Sequence, residues 1–474
     1  MQTQIKREQI IEKTSEILPS AFLERIKKQF PTEFDRFVTA IDLNPAISLR
    51  TNPRKFNIPE KFNIIPWCET GIFLNERPSF TLDPIFHSGA YYVQEASSMF
   101  LEQAFKQTEN SGNRIVLDLC AAPGGKSTHL LSLISASDLL VSNEVIRSRV
   151  SVLDENIRKW GHQNVVICNN DPSDFSNLEG MFDLILVDAP CSGEGLFRRD
   201  ASAIQQWSVD NTSLCATRQR RILADIWPSL KNGGYLIYST CTFNPAENEE
   251  NLKWLAENNE IESIRIPLQE NQGIQEIENN GLYGYRFLPH QVKGEGFFLS
   301  LIRKKEGKDF YSISKKTKSR LEKMPKQFGE IRNWLNTPNA EFFMKSEFLI
   351  AFPEDKISVL NALAEQLRII NFGLPVAQFK KNDLLPEHTF ALSVDRNLDI
   401  FESIELELKD ALVFQKKDEI RISSNTKGWL LVTYQGIPLG FVKNLGNRAN
   451  NYFPKEWRIR MALTEFPEPW YITK

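Results

Sequence analysis

Short apolar runs alternate with stretches of helical period through the middle of the chain. Residues 115–119, 139–143, 164–168, 182–187 and 235–239 are largely apolar, the pattern of strands buried on both faces. Between them the period lengthens. Over residues 145–160, Ile146, Val150, Leu153, Ile157 and Trp160 recur at spacings of four and three, and Gly161 follows as a C-cap, which predicts one amphipathic helix. A second helix is predicted from Asn244, with its side chain as cap, Pro245 in the first helical position and Glu247 reaching back. Strands separated by helices imply a mainly parallel sheet covered on both faces, with ligands at the carboxyl ends of its strands.

The flanks differ. Residues 1 to about 40 have a helical pattern, and prolines at 53, 59, 66 and 78 break residues 47–80 into short extended pieces. A strand pair is predicted around residues 285–303, then a small mixed domain over 327–385. Strand patterns return after 386, where GWLLVTY and GIPLGFV flank a hairpin turn at Gln435-Gly436.

With 474 residues the chain is too long for one core. A net charge of -3 excludes a general polycation, so any nucleic-acid contact must come from local patches. Three stand out: Arg50, Arg54 and Lys55; residues 303–326, with ten Lys or Arg against three acids; and the tail from Gly436 to Arg460, where five cations and one acid are interleaved with Tyr452, Phe453 and Trp457. The six cysteines include no C-x-x-C pair, against a disulfide framework or a zinc site, and no metal is expected. No signal peptide or membrane span is legible, which predicts a cytoplasmic protein.

The stretch DLCAAPGGK, residues 118–126, reads as a strand end, a small-residue turn and a helix start. Such a turn brings backbone N–H groups and a helix N-terminus against a ligand. It is neither a dinucleotide fingerprint, since no glycine precedes Gly124 in the turn, nor a P-loop, since Cys120 stands where the first glycine would be. Acids follow three further strands: Glu144, Asp171 and Asp188. Asp188-Ala189-Pro190-Cys191 carries a thiol where amine methyltransferases usually place an aromatic residue, and Cys241 ends the fifth strand. A zinc deaminase would need H-x-E and P-C-x-x-C, and neither is present.

DLCAAPGGKST at 118, DAPCSGEG at 188 and YSTCTFNPAENE at 238 together resemble the Sun-type RNA cytosine-C5 methyltransferases, as does GAYYVQEASSM at 89–99. The resemblance implies a Rossmann-like α/β core at residues 86–304, preceded by an N-terminal α+β extension (1–85, helical and basic, facing RNA) and followed by a basic connector with a small mixed α+β domain (305–385). A PUA-like RNA-binding β domain (386–474) would complete the chain. It implies S-adenosylmethionine as cofactor, held by Cys120, Ala121, Ala122, Pro123, Gly124, Gly125, Lys126, Glu144, Asp171 and Asp188, with Glu144 on the ribose and Asp171 near the adenine. By the same resemblance Cys241 attacks C6 of cytosine, Cys191 assists release, Asp188 hydrogen-bonds the base, and Lys126 contacts Asp188 or a phosphate. Cys68, Cys168 and Cys215 lie outside every motif and are assigned to structure.

The partner implied is RNA, foremost 16S ribosomal RNA or the small ribosomal subunit, bound by a monomer in a salt-sensitive way. A transfer RNA cytosine is the alternative substrate. An idle RNA-binding assembly factor is the alternative of another kind, and the filled cysteine and acid positions speak against it.

Overall fold

The computed structural model describes residue 14 and residues 16–109, 112–270, 272–309, 311, 322–380 and 383–472. The start of the helical stretch expected in residues 1–40, and much of the basic connector at 303–326, lie outside them.

A ten-stranded sheet forms the centre. Five strands run parallel: β1 (Ile115–Asp118), β2 (Leu139–Asn143), β3 (Val165–Cys168), β4 (Phe182–Asp188) and β5 (Leu230–Thr240). The short β6 (Ile261–Ser263), the hairpin β7 (Gln275–Asn279) and β8 (Leu282–Phe287), and β9 (Phe297–Lys304) extend it antiparallel beyond β5. At the opposite edge β10 (Ile369–Phe372), from far along the chain, lies antiparallel on β3. The order is β7-β8-β9-β5-β4-β1-β2-β3-β10, with β6 also on β9. Every residue of β1, β2 and β3 is buried, as two covered faces require.

Helices α1 (Gly125–Leu133), α2 (Arg147–Trp160), α3 (Val209–Ile226) and α4 (Glu249–Asn258) belong to this core. In α2 the predicted stripe Val150, Leu153, Ile157 and Trp160 is buried, and Gly161 ends the helix at φ +90°. Ile146 departs from the prediction. Its amide bonds the Glu144 carboxylate at 2.8 Å, so the chain is still in the loop there and the side chain is exposed. The second predicted helix also starts later, at Glu249. Asn244 caps only a local turn, accepting from the Ala246 amide at 3.1 Å, and Glu247 points to another loop instead of back along a helix.

Before the core, helices Ser20–Gln29 and Phe34–Ile41 bury Phe22, Ile26 and Phe37 in a cluster with Phe197, Trp207 and Phe243. A four-stranded antiparallel sheet follows, built from Ile47–Thr51, Asn63–Ile65, Cys68–Leu74 and Tyr91–Tyr92. After the core come a five-stranded sheet (Glu322–Lys323, Ala340–Lys345, Phe348–Pro353, Leu374–Lys380 and Asp383–Pro386) and a four-stranded one (Ser403–Glu405, Gly428–Tyr434, Ile437–Asn444 and Ala449–Asn451). The predicted hairpin is present. Tyr434 faces Ile437, with φ +52° at Gln435 and +72° at Gly436, the paired left-handed residues of a tight two-residue turn.

Candidate active site

Gly124 opens the site. Its φ of +112° puts it in the left-handed region, and it is the N-cap of α1. Side chains from α2 fix the turn from behind: Arg149 donates to the Ala122 carbonyl at 2.6 Å and Asn156 to the Pro123 carbonyl at 2.8 Å. A cleft of about 200 Å³ opens over it, lined in part by Tyr92, Gln94, Ala121, Pro123, Lys126 and Asp188. Cys120 also lines the cleft, its thiol pushed up by burial.

At the bottom of this turn Asp118 is fully buried, and Ser127 donates to its Oδ2 at 2.7 Å. The other oxygen, Oδ1, is buried with no partner among the described residues. Burial lifts the carboxyl from 3.8 to about 7, and the charges of Asp188 and Glu144 add to that rise. A cationic ligand group would relieve both, which fits a sulfonium or ammonium.

Strands β4 and β5 bring the second half of the site together because Asp188 and Ser239 are partners in their parallel register. Ser239 donates to Asp188 Oδ1 at 2.8 Å and Lys126 Nζ to Oδ2 at 2.7 Å. Burial alone would lower the Lys126 ammonium, but the Asp188 carboxylate more than offsets this and holds it above its usual range. Just past the two strand ends, the sulfurs of Cys191 and Cys241 lie 3.0 Å apart. Both residues are half-buried. The hydrogen bond to Cys241, burial and the nearby Glu247 carboxylate all push the Cys191 thiol well up.

Glu144 lies buried at the end of β2, accepting from the Ile146 amide and 3.5 Å from Arg149, the residue that also holds the glycine turn. Asp171 follows β3. Its carboxylate caps the short helix Pro172–Asn177 through a capping box with Asp174 and pairs with Arg221 at 3.2 Å. Cys68, Cys168 and Cys215 are buried.

The basic cluster at residues 50–55 is engaged in internal contacts, with Arg54 still exposed. Arg50 is fully buried, bonded to Gln94, Thr128 and the Gly125 carbonyl and stacked 4.6 Å over Trp160. Lys55 donates to the carbonyls of Ser88 and Lys159, and Arg54 pairs with Asp395 at 3.0 Å. The start of the basic connector is likewise engaged: Lys304 donates to the Trp227 and Leu230 carbonyls, and Arg303 pairs with Glu109. In the tail, Phe453 is buried, Trp457 packs on His388, and Tyr452 packs on Trp429 at 4.4 Å, so these rings serve the core. Arg448, Lys455, Arg458 and Arg460 remain exposed.

Cys68, Glu102 and His129 form a buried group of metal-capable side chains elsewhere. Lys106 holds Glu102 at 2.7 Å and Arg50 exerts its charge on the group, both unfavourable to a metal ion.

The model of the 16S rRNA methyltransferase RsmB/F family matches residues 106–303, the N-terminal domain model of 16S rRNA methyltransferase RsmF matches 18–96, and the RsmF PUA domain model matches 401–459. Proteins named ribosomal RNA small subunit methyltransferase F from Shigella boydii serotype 4 (strain Sb227) and Escherichia coli O9:H4 (strain HS) are each 30% identical, covering 92% of this chain and 96% of their own. The chain belongs to the RsmB/F family of 16S rRNA methyltransferases.

A methyltransferase homolog protein from Pyrococcus horikoshii shares 28% identity, covering 62% of this chain and 99% of its own at a TM-score of 0.53. NSun6 from the same organism, solved with SFG, has the same fold at 19% identity and a TM-score of 0.52, covering 62% and 100%. As a member of the family the chain is an S-adenosylmethionine-dependent RNA methyltransferase, with a Rossmann-like core and a C-terminal PUA domain. The glycine turn lining the cleft and the orphaned Asp118 oxygen beneath it fit that cofactor. No helix among the described residues is long and apolar enough to cross a membrane.

Read from sequence, Ser239 has no role and Glu247 only that of a helix cap. Ser239 was findable by aligning the ends of the strand before DAPC and the strand before TCT, which puts it opposite Asp188.

Proposed function

We propose that the protein methylates C5 of a cytosine in RNA, with 16S ribosomal RNA as substrate, acting as a monomer through a transient bond between Cys241 and C6. The observation that carries this reading is the pair of thiols 3.0 Å apart at the ends of β4 and β5, beside the Lys126–Asp188 ion pair.

C5 of cytosine is a poor nucleophile. Addition of the Cys241 thiolate to C6 turns C5 into an enamine carbon. Bound S-adenosylmethionine, held by the glycine turn and Glu144, supplies an electrophilic methyl group. Asp188, already oriented by Lys126 and Ser239, hydrogen-bonds the pyrimidine and keeps its face toward the thiol. With C5 methylated, the C5 proton passes to solvent water, the electron pair of that C5–H bond re-forms the C5–C6 double bond, and the sulfur of Cys241 departs as thiolate. Cys191, hydrogen-bonded to Cys241 at 3.0 Å, assists that elimination. A paired cytosine hides C6, so the target base is unpaired or turned out of its helix. The exposed cations of the tail supply phosphate contacts.

The test is covalent trapping. RNA containing 5-fluorocytidine is incubated with the protein and S-adenosylmethionine, and the adduct is mapped by mass spectrometry. Attachment at Cys241 is the expected result; attachment at Cys191 reverses the roles, and no adduct at either removes the mechanism.

A further inference from the structure

Glu247 is fully buried, although it lies only six residues after Cys241 in the turn that leads into α4. Its carboxylate is directed at the other thiol's loop. It accepts from the Ser192 amide at 2.9 Å, from the Ser192 hydroxyl, and from the Gln219 side chain of α3 at 3.0 Å. That same Gln219 amide donates to the Pro190 carbonyl at 3.0 Å. The residues on both sides of Cys191 are therefore gripped by one pair of side chains. The Ser192 hydroxyl also contacts that of Thr242, next to Cys241, at 3.1 Å. Tyr238 and Asn251 bond the Glu247 carbonyl and so fix the base of the clamp.

We infer that Glu247 is a positioning residue that sets the separation of the two active-site sulfurs by locking the Cys191 loop onto the turn after Cys241. The catalytic consequence rests on the two-thiol reading above; the geometric role does not. Neither loop is a regular element at these positions, and side-chain bonds supply what a β ladder would elsewhere. The carboxylate has a second effect, since its charge helps to keep the Cys191 thiol protonated beside Cys241.

The experiment reads sulfur spacing directly, without RNA or cofactor. Phenylarsine oxide joins two adjacent thiols through one arsenic atom with loss of water, and peptide mapping of the whole chain locates the bridge. Wild-type protein is expected to form a Cys191–Cys241 bridge. Glu247→Ala should lose the bridge and slow methyl transfer on the order of tenfold or more, while Glu247→Gln, which can still accept from the Ser192 amide, should keep both. Bridging by Glu247→Ala at the wild-type rate would overturn the inference. If that variant does not fold, Ser192→Ala breaks the hydroxyl link alone: slower bridging supports the clamp and unchanged bridging overturns it. Wild-type protein that bridges yet never forms an adduct with 5-fluorocytidine RNA would defeat the proposed chemistry and leave the clamp standing.

Discussion

The backbone N–H of Cys241 is directed at the sulfur of Cys191, 3.3 Å away. One end of β5 thus supplies both a thiol and an amide to the neighbouring loop, while the hydrogen bond to Cys241, burial and the Glu247 charge push the Cys191 thiol up. That rise is in keeping with the proposed roles, in which Cys241 attacks and Cys191 assists release. Cys241→Ala is expected to reduce methyl transfer on the order of 10⁴-fold or more, as loss of a nucleophile does. Cys191→Ala should instead accumulate a protein–RNA adduct on unmodified RNA, visible as a slower band on a denaturing gel. Normal turnover by Cys241→Ala would refute the assignment.

Lys126 and Asp188 are each partly shielded, with side-chain exposures of 15% and 31%. Removing the cation leaves Asp188 with Ser239 alone. Lys126→Met is expected to lower methyl transfer by roughly 10- to 1000-fold. Asp188→Asn should do the same, and the double variant should be little worse than either single one, because the pair acts as a unit. Steady-state rates on a small-subunit RNA fragment provide the comparison; additive losses would show independent roles.

Asp118 makes the stability of the cofactor-free protein depend on pH. Burial lifts its folded carboxyl from 3.8 to about 7. Between those values the folded state holds a proton that the unfolded chain has already released. The stabilising contribution of this neutral carboxyl is complete below the unfolded value and is lost as pH rises through the folded one. Asp118→Asn is neutral throughout, so its melting temperature should gain on that of the wild type between about pH 4 and about pH 7 and then level off. A difference that stays flat across this range would show that the carboxyl is ionised when folded.

Gly195 has no room for a side chain. A Cβ there would sit 2.3 Å from the Gly296 carbonyl oxygen and 2.9 Å from that of Cys241. Both obstacles are backbone, so neither can swing away. Gly195→Ala is expected to destabilise the protein by about 1–3 kcal/mol in urea unfolding. Methyl transfer should fall with it, because the displaced strand end carries Cys241. An unchanged unfolding midpoint would mean that β5 and the loop after Cys191 are less tightly apposed than they are here.

The parts of this design that depend on local pattern were legible in the sequence. Buried strands announce themselves as apolar runs, Gly161 marks the end of α2, and the left-handed Gln435-Gly436 pair marks its hairpin. The motif thiols and acids could be placed at strand ends for the same reason. What escaped was settled by partners distant in sequence. Arg50 reads as a surface cation until Trp160, Thr128 and Gln94 surround it. Glu247 reads as a capping residue until Ser192 and Gln219 claim its carboxylate. Asp171, a strand-end acid grouped with the cofactor set by resemblance, also caps a short helix, a role its sequence context did not show.

The strand Ile369–Phe372 bears on how the enzyme comes into being. It seals the β3 side of the catalytic sheet, with the Gly373 amide donating to the Val165 carbonyl at 2.9 Å. During synthesis the motifs at 118, 188 and 238 leave the ribosome long before this strand does. Until it arrives, an all-apolar edge, Val165-Val166-Ile167-Cys168, offers its open hydrogen bonds to any passing β segment. A nascent or truncated chain ending near Lys304 would carry that edge uncovered, which makes it a candidate for aggregation or chaperone capture.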